Sequence, residues 1–268
     1  MKNRGSILMK KEDIIGDYCK VLKENYALLE KEDFRIFKEA FNESVNLGLE
    51  IIDFIDYLRK KYGEDKALNV IPRSAFLANV HTIVHSLALG LWRDILSNDL
   101  PSCAFKLRVI LEISVKSFLL DYFIAEVRDE KEREKLVNAF FADKLDLLEK
   151  IRYEKRERRG KRLTTSGFFR EGLKKAINES FADKVVKLWG ELSDWMHITK
   201  YVKRALDMGK EAEKGFPAYL IIPMLPFDKS DEKDFKEIAE NTKDIKDILQ
   251  TLIKEWKNLE PIWFRSHV

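Results

Sequence analysis

Ala104-Phe105-Lys106-Leu107-Arg108-Val109-Ile110-Leu111-Glu112-Ile113-Ser114-Val115-Lys116-Ser117-Phe118-Leu119-Leu120-Asp121-Tyr122-Phe123-Ile124 is the stretch that decides the fold. Wound at about 3.6 residues per turn, it is apolar around most of its circumference, so it cannot lie on a surface with one face in water. The pattern predicts a central helix with Leu107, Leu111, Val115 and Leu119 in the middle of a bundle. Lys106, Arg108, Glu112 and Lys116 interrupt it, which argues against a membrane span.

The flanking segments supply the helices that would cover it. Ile14, Ile15, Tyr18, Leu22, Tyr26 and Leu29 mark one amphipathic helix, and Phe34, Phe41, Val45, Ile52, Ile55 and Leu58 a second, stopped by Gly63. Pro72 opens a third, with Phe76, Val80, Ile83, Leu87, Leu91 and Ile95 inward. A charged helix with Leu136, Phe140, Leu148 and Ile151 follows the central one, and Thr164 to Gly167 break the pattern. Ser180 with Asp183 resembles a capping box for a long helix through Leu188, Trp189, Leu192 and Trp195 to Leu206. The apolar run 218–222, among prolines, reads as a short extended segment. Ser230 caps a last helix that Pro261 ends. The expectation is an all-α multi-helix bundle, one domain over 1–268. Its parts are N-terminal helices 10–62, a central bundle 72–208, a linker 209–229 and a C-terminal helix 230–260.

Composition narrows the classes. The 268 residues are 45% hydrophobic, enough for a real core. Charged residues make up 35%, but 49 basic against 46 acidic residues leave only +3, so any polyanion footprint must be local. Cys19 and Cys103, both on apolar faces, have no disulfide or thiolate-metal spacing. Residues 1–11 are too short and charged for a signal peptide, and a cytoplasmic protein with no membrane association is expected. Abundant Lys and Glu with a near absence of Gln match a composition reported for proteins that work hot.

Three constellations bear on chemistry. Arg108, Glu112 and Lys116 stand one helical turn apart on the most apolar helix, where burying charge is costly unless it is paired. They form either a structural network or the edge of a ligand groove. His81 and His85, also one turn apart, have a metal-ligand spacing, but no Glu follows His81 as in zincins and no third ligand is identifiable; no metal or cofactor is expected. The run Arg152, Lys155, Arg156, Arg158, Arg159, Lys161 and Arg162 is the one local basic cluster, diluted by Glu154 and Glu157, and is the candidate nucleic-acid contact. Trp92, Trp189, Trp195, Trp256 and Trp263 sit at core spacing and read as packing.

The segment Ala104 to Glu112, with Arg108-x-x-x-Glu112, taken with Leu192-Ser193-Asp194-Trp195-Met196-His197, resembles a pattern in helical prokaryotic proteins of the higher eukaryote and prokaryote nucleotide-binding (HEPN) superfamily. That resemblance implies an α-helical bundle, often a homodimer, in a superfamily rich in RNA-cleaving and defence proteins. It points to Arg108, Glu112 and His197 as a shared site acting on RNA or another phosphate-bearing ligand. The chain departs from the RNase members, which usually carry Arg, four to six residues and then His on one helix; no His here has an Arg at that spacing. Cleavage would need His197 as acid–base group, a role natural to histidine, with Glu112 to orient it and Arg108 to hold the phosphate. The alternative is a non-enzymatic scaffold in which the charged stripe is structural and an exposed helix face mediates self-association.

Overall fold

The structure is a computed structural model that describes residues 11–127, 129–141, 165–196 and 227–264. Its helices are α1 (Lys11–Leu28), α2 (Arg35–Tyr62), α3 (Glu64–Val70), α4 (Ala75–Asn79), α5 (His85–Leu96), α6 (Leu100–Ile124), α7 (Glu130–Phe141), α8 (Thr165–Ala176), α9 (Glu179–Met196) and α10 (Glu232–Phe264). No strand occurs among the described residues, and the fold is an all-α multi-helix bundle.

The decisive stretch lies where its composition demands. α6 packs against α4, α5, α8, α9 and α10, and Leu107, Leu111, Val115 and Leu119 are all buried. Asp99 starts the helix by accepting the Ser102 N–H at 3.2 Å and its hydroxyl at 2.6 Å, with Pro101 in the first turn where its missing N–H costs nothing. Just before it, Asn98 turns the chain at φ 57°, a conformation Asn tolerates better than most residues. α10 lies along both α2 and α6 and closes the bundle, burying Phe235, Ile238, Ile245, Leu252 and Trp256. One continuous cluster of buried residues runs from Leu29 to Trp263.

Several boundaries differ from the sequence expectation, each for a local reason. Thr165, Ser166 and Gly167 form the first turn of α8 instead of breaking a pattern. Asn178, not Ser180, caps α9, its side chain accepting the Phe181 N–H at 2.8 Å. Pro261 sits inside α10, which continues to Phe264 because Trp263 is buried and Phe264 stacks on Tyr62, centroids 3.7 Å apart at 11°. The third expected helix contains a π-helical turn, Val80–Val84, between α4 and α5. Together Ala75–Leu96 is long and apolar enough to cross a membrane by length and composition, a test that a bundle's core helix also passes. Cys19 is exposed, not on a buried face, and Cys103 is buried. Tyr26, Ile52, Ile83 and Trp92, expected inward, are exposed. The extended segment expected at 218–222 and the linker up to 226 lie outside the described residues.

Candidate functional site

Arg108, Glu112 and Lys116 line one edge of α6, and α9 supplies the residue they share. The Arg108 guanidinium carbon stands 5.0 Å from the centre of the Trp189 ring, and the Trp189 indole N–H reaches Glu112 Oε2 at 3.5 Å. Lys116 donates to Glu112 Oε1 in a direct ion pair. The side chains of Glu112 and Lys116 are 26% and 19% exposed, so this pair is largely withdrawn from water. The expected network therefore has an uneven form: Glu112 is neutralised by Lys116, one turn on, and not by Arg108. Among the described residues Arg108 has no hydrogen-bond acceptor and no carboxylate partner; the indole face is its one described attraction. A cation over a tryptophan face gains about 0.5–1 kcal/mol when exposed and more when desolvated, and the contact leaves the guanidinium's planar donors unspent.

Trp189 is held from behind by Phe169 of α8, edge to face at 6.4 Å and 87°. Ser193, one turn further along α9, donates its hydroxyl to the Trp189 carbonyl at 2.6 Å. That back-bond to the preceding turn is the simple structural role open to the serine of the second motif. α9 is described to Met196, so His197 lies outside the described residues, as do Arg152, Lys155, Arg156, Arg158, Arg159, Lys161 and Arg162.

His81 and His85 lie on the π-helical turn and at its exit, with the Arg59 charge near His81. Burial lowers the His81 pKa from its ordinary value, and the charges of Arg59 and His85 add to the effect. His85 Nε2 is buried without a hydrogen-bond partner among the described residues. No cluster of three or more His, Cys, Asp or Glu side chains that could hold a metal occurs among the described residues.

One buried polar group with four donors on it was not singled out from sequence. Asp121, 0% exposed, accepts from the Ser74 hydroxyl, the Ala75 N–H at 2.9 Å, the Phe76 N–H at 3.3 Å and the Trp256 indole at 2.8 Å. Ser74 in turn accepts the Leu77 N–H at 3.0 Å. Burial pushes the Asp121 carboxyl up to about 7 against the pull of these four donors. Its role is structural: one carboxylate ties the start of α4 to α6 and α10. A second network joins α2 to α10. Glu260, 1% exposed, lies 2.9 Å from Lys61 Nζ and accepts the Tyr57 hydroxyl at 3.3 Å, while Lys61 also donates to Tyr57 at 2.9 Å. The Tyr57 hydrogen bond, then that of Glu260, raises the Lys61 pKa. Only long-range pairing reveals either network, because single acids near helix ends read as surface positions.

No family model, curated protein or solved structure matches the chain at a significant level.

Proposed function

We propose that the chain is a HEPN-like helical protein whose α6–α9 face binds a phosphate-bearing ligand, with RNA as the polymer. One observation supports this reading above the others. Arg108 of the first motif stands over Trp189, one turn before Ser193 of the second, so the two motif helices meet at a half-buried cation with no acceptor among the described residues. A guanidinium positioned by an aromatic face suits bidentate capture of a phosphate. The basic run from Arg152 to Arg162 is the second contact that the sequence offers such a ligand. Binding is the whole of the proposal; processing of the ligand would add His197 as its acid–base group. Titrating a labelled single-stranded RNA with the protein tests it: binding at low salt that weakens steeply as salt rises is expected, and no low-salt binding overturns it.

A second reading, self-association, is favoured by a separate observation. α2 and α5 leave between them a groove of about 240 Å³ walled by Phe41, Val45, Leu49, Ile52, Leu89 and Trp92. Leu49 is 50% exposed and Leu89 43%, and with Ile52 and Trp92 they line one contiguous apolar surface. The occupant proposed is the same groove of a second copy. Tyr26, exposed and packed edge to face on Phe41, extends the apolar surface beyond the groove. Sedimentation should find a dimer that Leu49→Asp with Leu89→Asp converts to a folded monomer; a wild-type monomer at the highest concentration overturns this reading.

A further inference from the structure

α6 is the central helix, yet one stripe along it is left open. Phe105, Arg108, Val109, Glu112, Ile113 and Lys116 are exposed or half-buried at helical spacing, while Leu107, Leu111 and Val115 between them are buried. At 1.5 Å per residue the stripe is about 16 Å long, and it ends where Leu119, Leu120 and Phe123 are buried again. Trp189 of α9 borders one side of it, and on the other Lys106 reaches the Gly90 carbonyl of α5 at 3.1 Å.

Most polar and aromatic groups along the stripe are already engaged. Glu112 and Lys116 neutralise each other, and Lys106 is paired with Asp94. Trp189 is engaged as well: Arg108 stands over its ring, its N–H points to Glu112, and Phe169 meets it edge to face. What the stripe presents to a ligand is therefore Arg108, with no acceptor among the described residues, and the Phe105 ring, 47% exposed. Of the exposed aromatic rings among the described residues, Trp92 lines the α2–α5 groove and Tyr26 packs beside it, whereas Phe105 stands on α6. Phe105 and Arg108 are three residues apart, so they share one helix face with about 5–6 Å between Cβ atoms. A nucleotide separates its base from its phosphate by a similar length, and an open ring beside a cation is the combination by which proteins hold single strands.

We infer that Phe105 is the base-stacking residue of the α6–α9 face, a base of an unpaired strand lying on its ring while the adjoining phosphate is held by Arg108. The inference rests on the reading of this face as an RNA site and adds which part of the strand meets which side chain. Half-buried Val109 and Ile113 give the sugar an apolar floor. A duplex keeps its bases stacked on one another, so the arrangement selects single strands. Every base has a π-face, so purines are preferred over pyrimidines by stacking strength and no sequence is specified.

The test measures binding of the full chain, at one low salt concentration, to an oligoadenylate of about six nucleotides and to an abasic oligoribonucleotide with the same number of phosphates. The wild type is expected to bind the oligoadenylate at least about fivefold more tightly than the abasic oligomer. Phe105→Leu keeps an apolar side chain at an exposed position; it should weaken oligoadenylate binding about fivefold or more, leave the abasic oligomer within about twofold, and not move the melting temperature. Phe105→Trp should bind the oligoadenylate at least as tightly as the wild type, an outcome that a merely apolar contact would not give. Arg108→Gln should weaken both oligomers. Equal affinity of the wild type for the two oligomers, or a Phe105→Leu loss that is absent or the same for both, overturns the stacking inference and leaves the RNA reading standing. Should Phe105→Leu melt early, the wild-type comparison of the two oligomers decides. No binding of either oligomer by the wild type overturns the RNA reading and this inference with it.

Discussion

Trp256 donates its indole N–H to Asp121 at 2.8 Å, across 135 residues of sequence, and so fastens the last helix to the central one. Because that carboxylate also receives three donors at the start of α4, its protonation state is coupled to the whole fold. Its folded pKa of about 7 lies above the ordinary 3.8, so between about pH 4 and 7 the native state holds a proton that the unfolded chain has released. Stability from this group is therefore fully present below about pH 4 and is lost as pH rises to 7, by up to roughly 4 kcal/mol, opposite in sign to a salt-bridged aspartate. Asp121→Asn should abolish that slope. It should also lower stability at pH 5 by about 1–3 kcal/mol, since one amide oxygen cannot serve four donors. Denaturant midpoints of both proteins across pH 4–8 measure this; parallel profiles would refute it.

Leu111 is 1% exposed in the middle of α6, and Leu111→Ala should cost about 2–5 kcal/mol through lost burial and the cavity left behind. Chemical denaturation gives the number, and a change under about 0.5 kcal/mol would place α6 at the surface.

Pro261 denies α10 one backbone hydrogen bond in its last turn. Pro261→Ala should restore it and raise stability by about 1–2 kcal/mol, the gain being reduced by the extra freedom of the unfolded chain. A lower melting temperature would mean that the last turn depends on the proline.

What the sequence disclosed and what it hid divide by the range of the interaction. Periodicity located Leu107, Leu111, Val115 and Leu119 in the core because burial of one helix face is written within a few turns. Periodicity also swept in Tyr26, Ile52, Ile83 and Trp92, since it cannot separate a face covered by the bundle from one left for solvent. Charge spacing marked Arg108, Glu112 and Lys116 but not which two would pair, and core spacing assigned Trp189 to packing with no hint that Arg108 stands over it. Asp121 and Glu260 take their character from partners tens to hundreds of residues away, and no local pattern carries that information. The proline rule failed at Pro261 because tertiary contacts of Trp263 and Phe264 outweigh one lost hydrogen bond.

The reading of α6 and α9 as a ligand-binding face rests on Arg108 being held by Trp189 yet having no anionic partner among the described residues. The direct test is one comparison, RNA affinity and melting temperature measured together for the wild type and Arg108→Gln at the same low salt. If Arg108 is there for a ligand, the variant loses about tenfold or more in affinity while its melting temperature stays within about 2 °C, because only a cation–π contact is lost from the fold. If Arg108 is a structural residue, the variant melts several degrees lower while the folded fraction binds RNA as the wild type does, and that result contradicts the account.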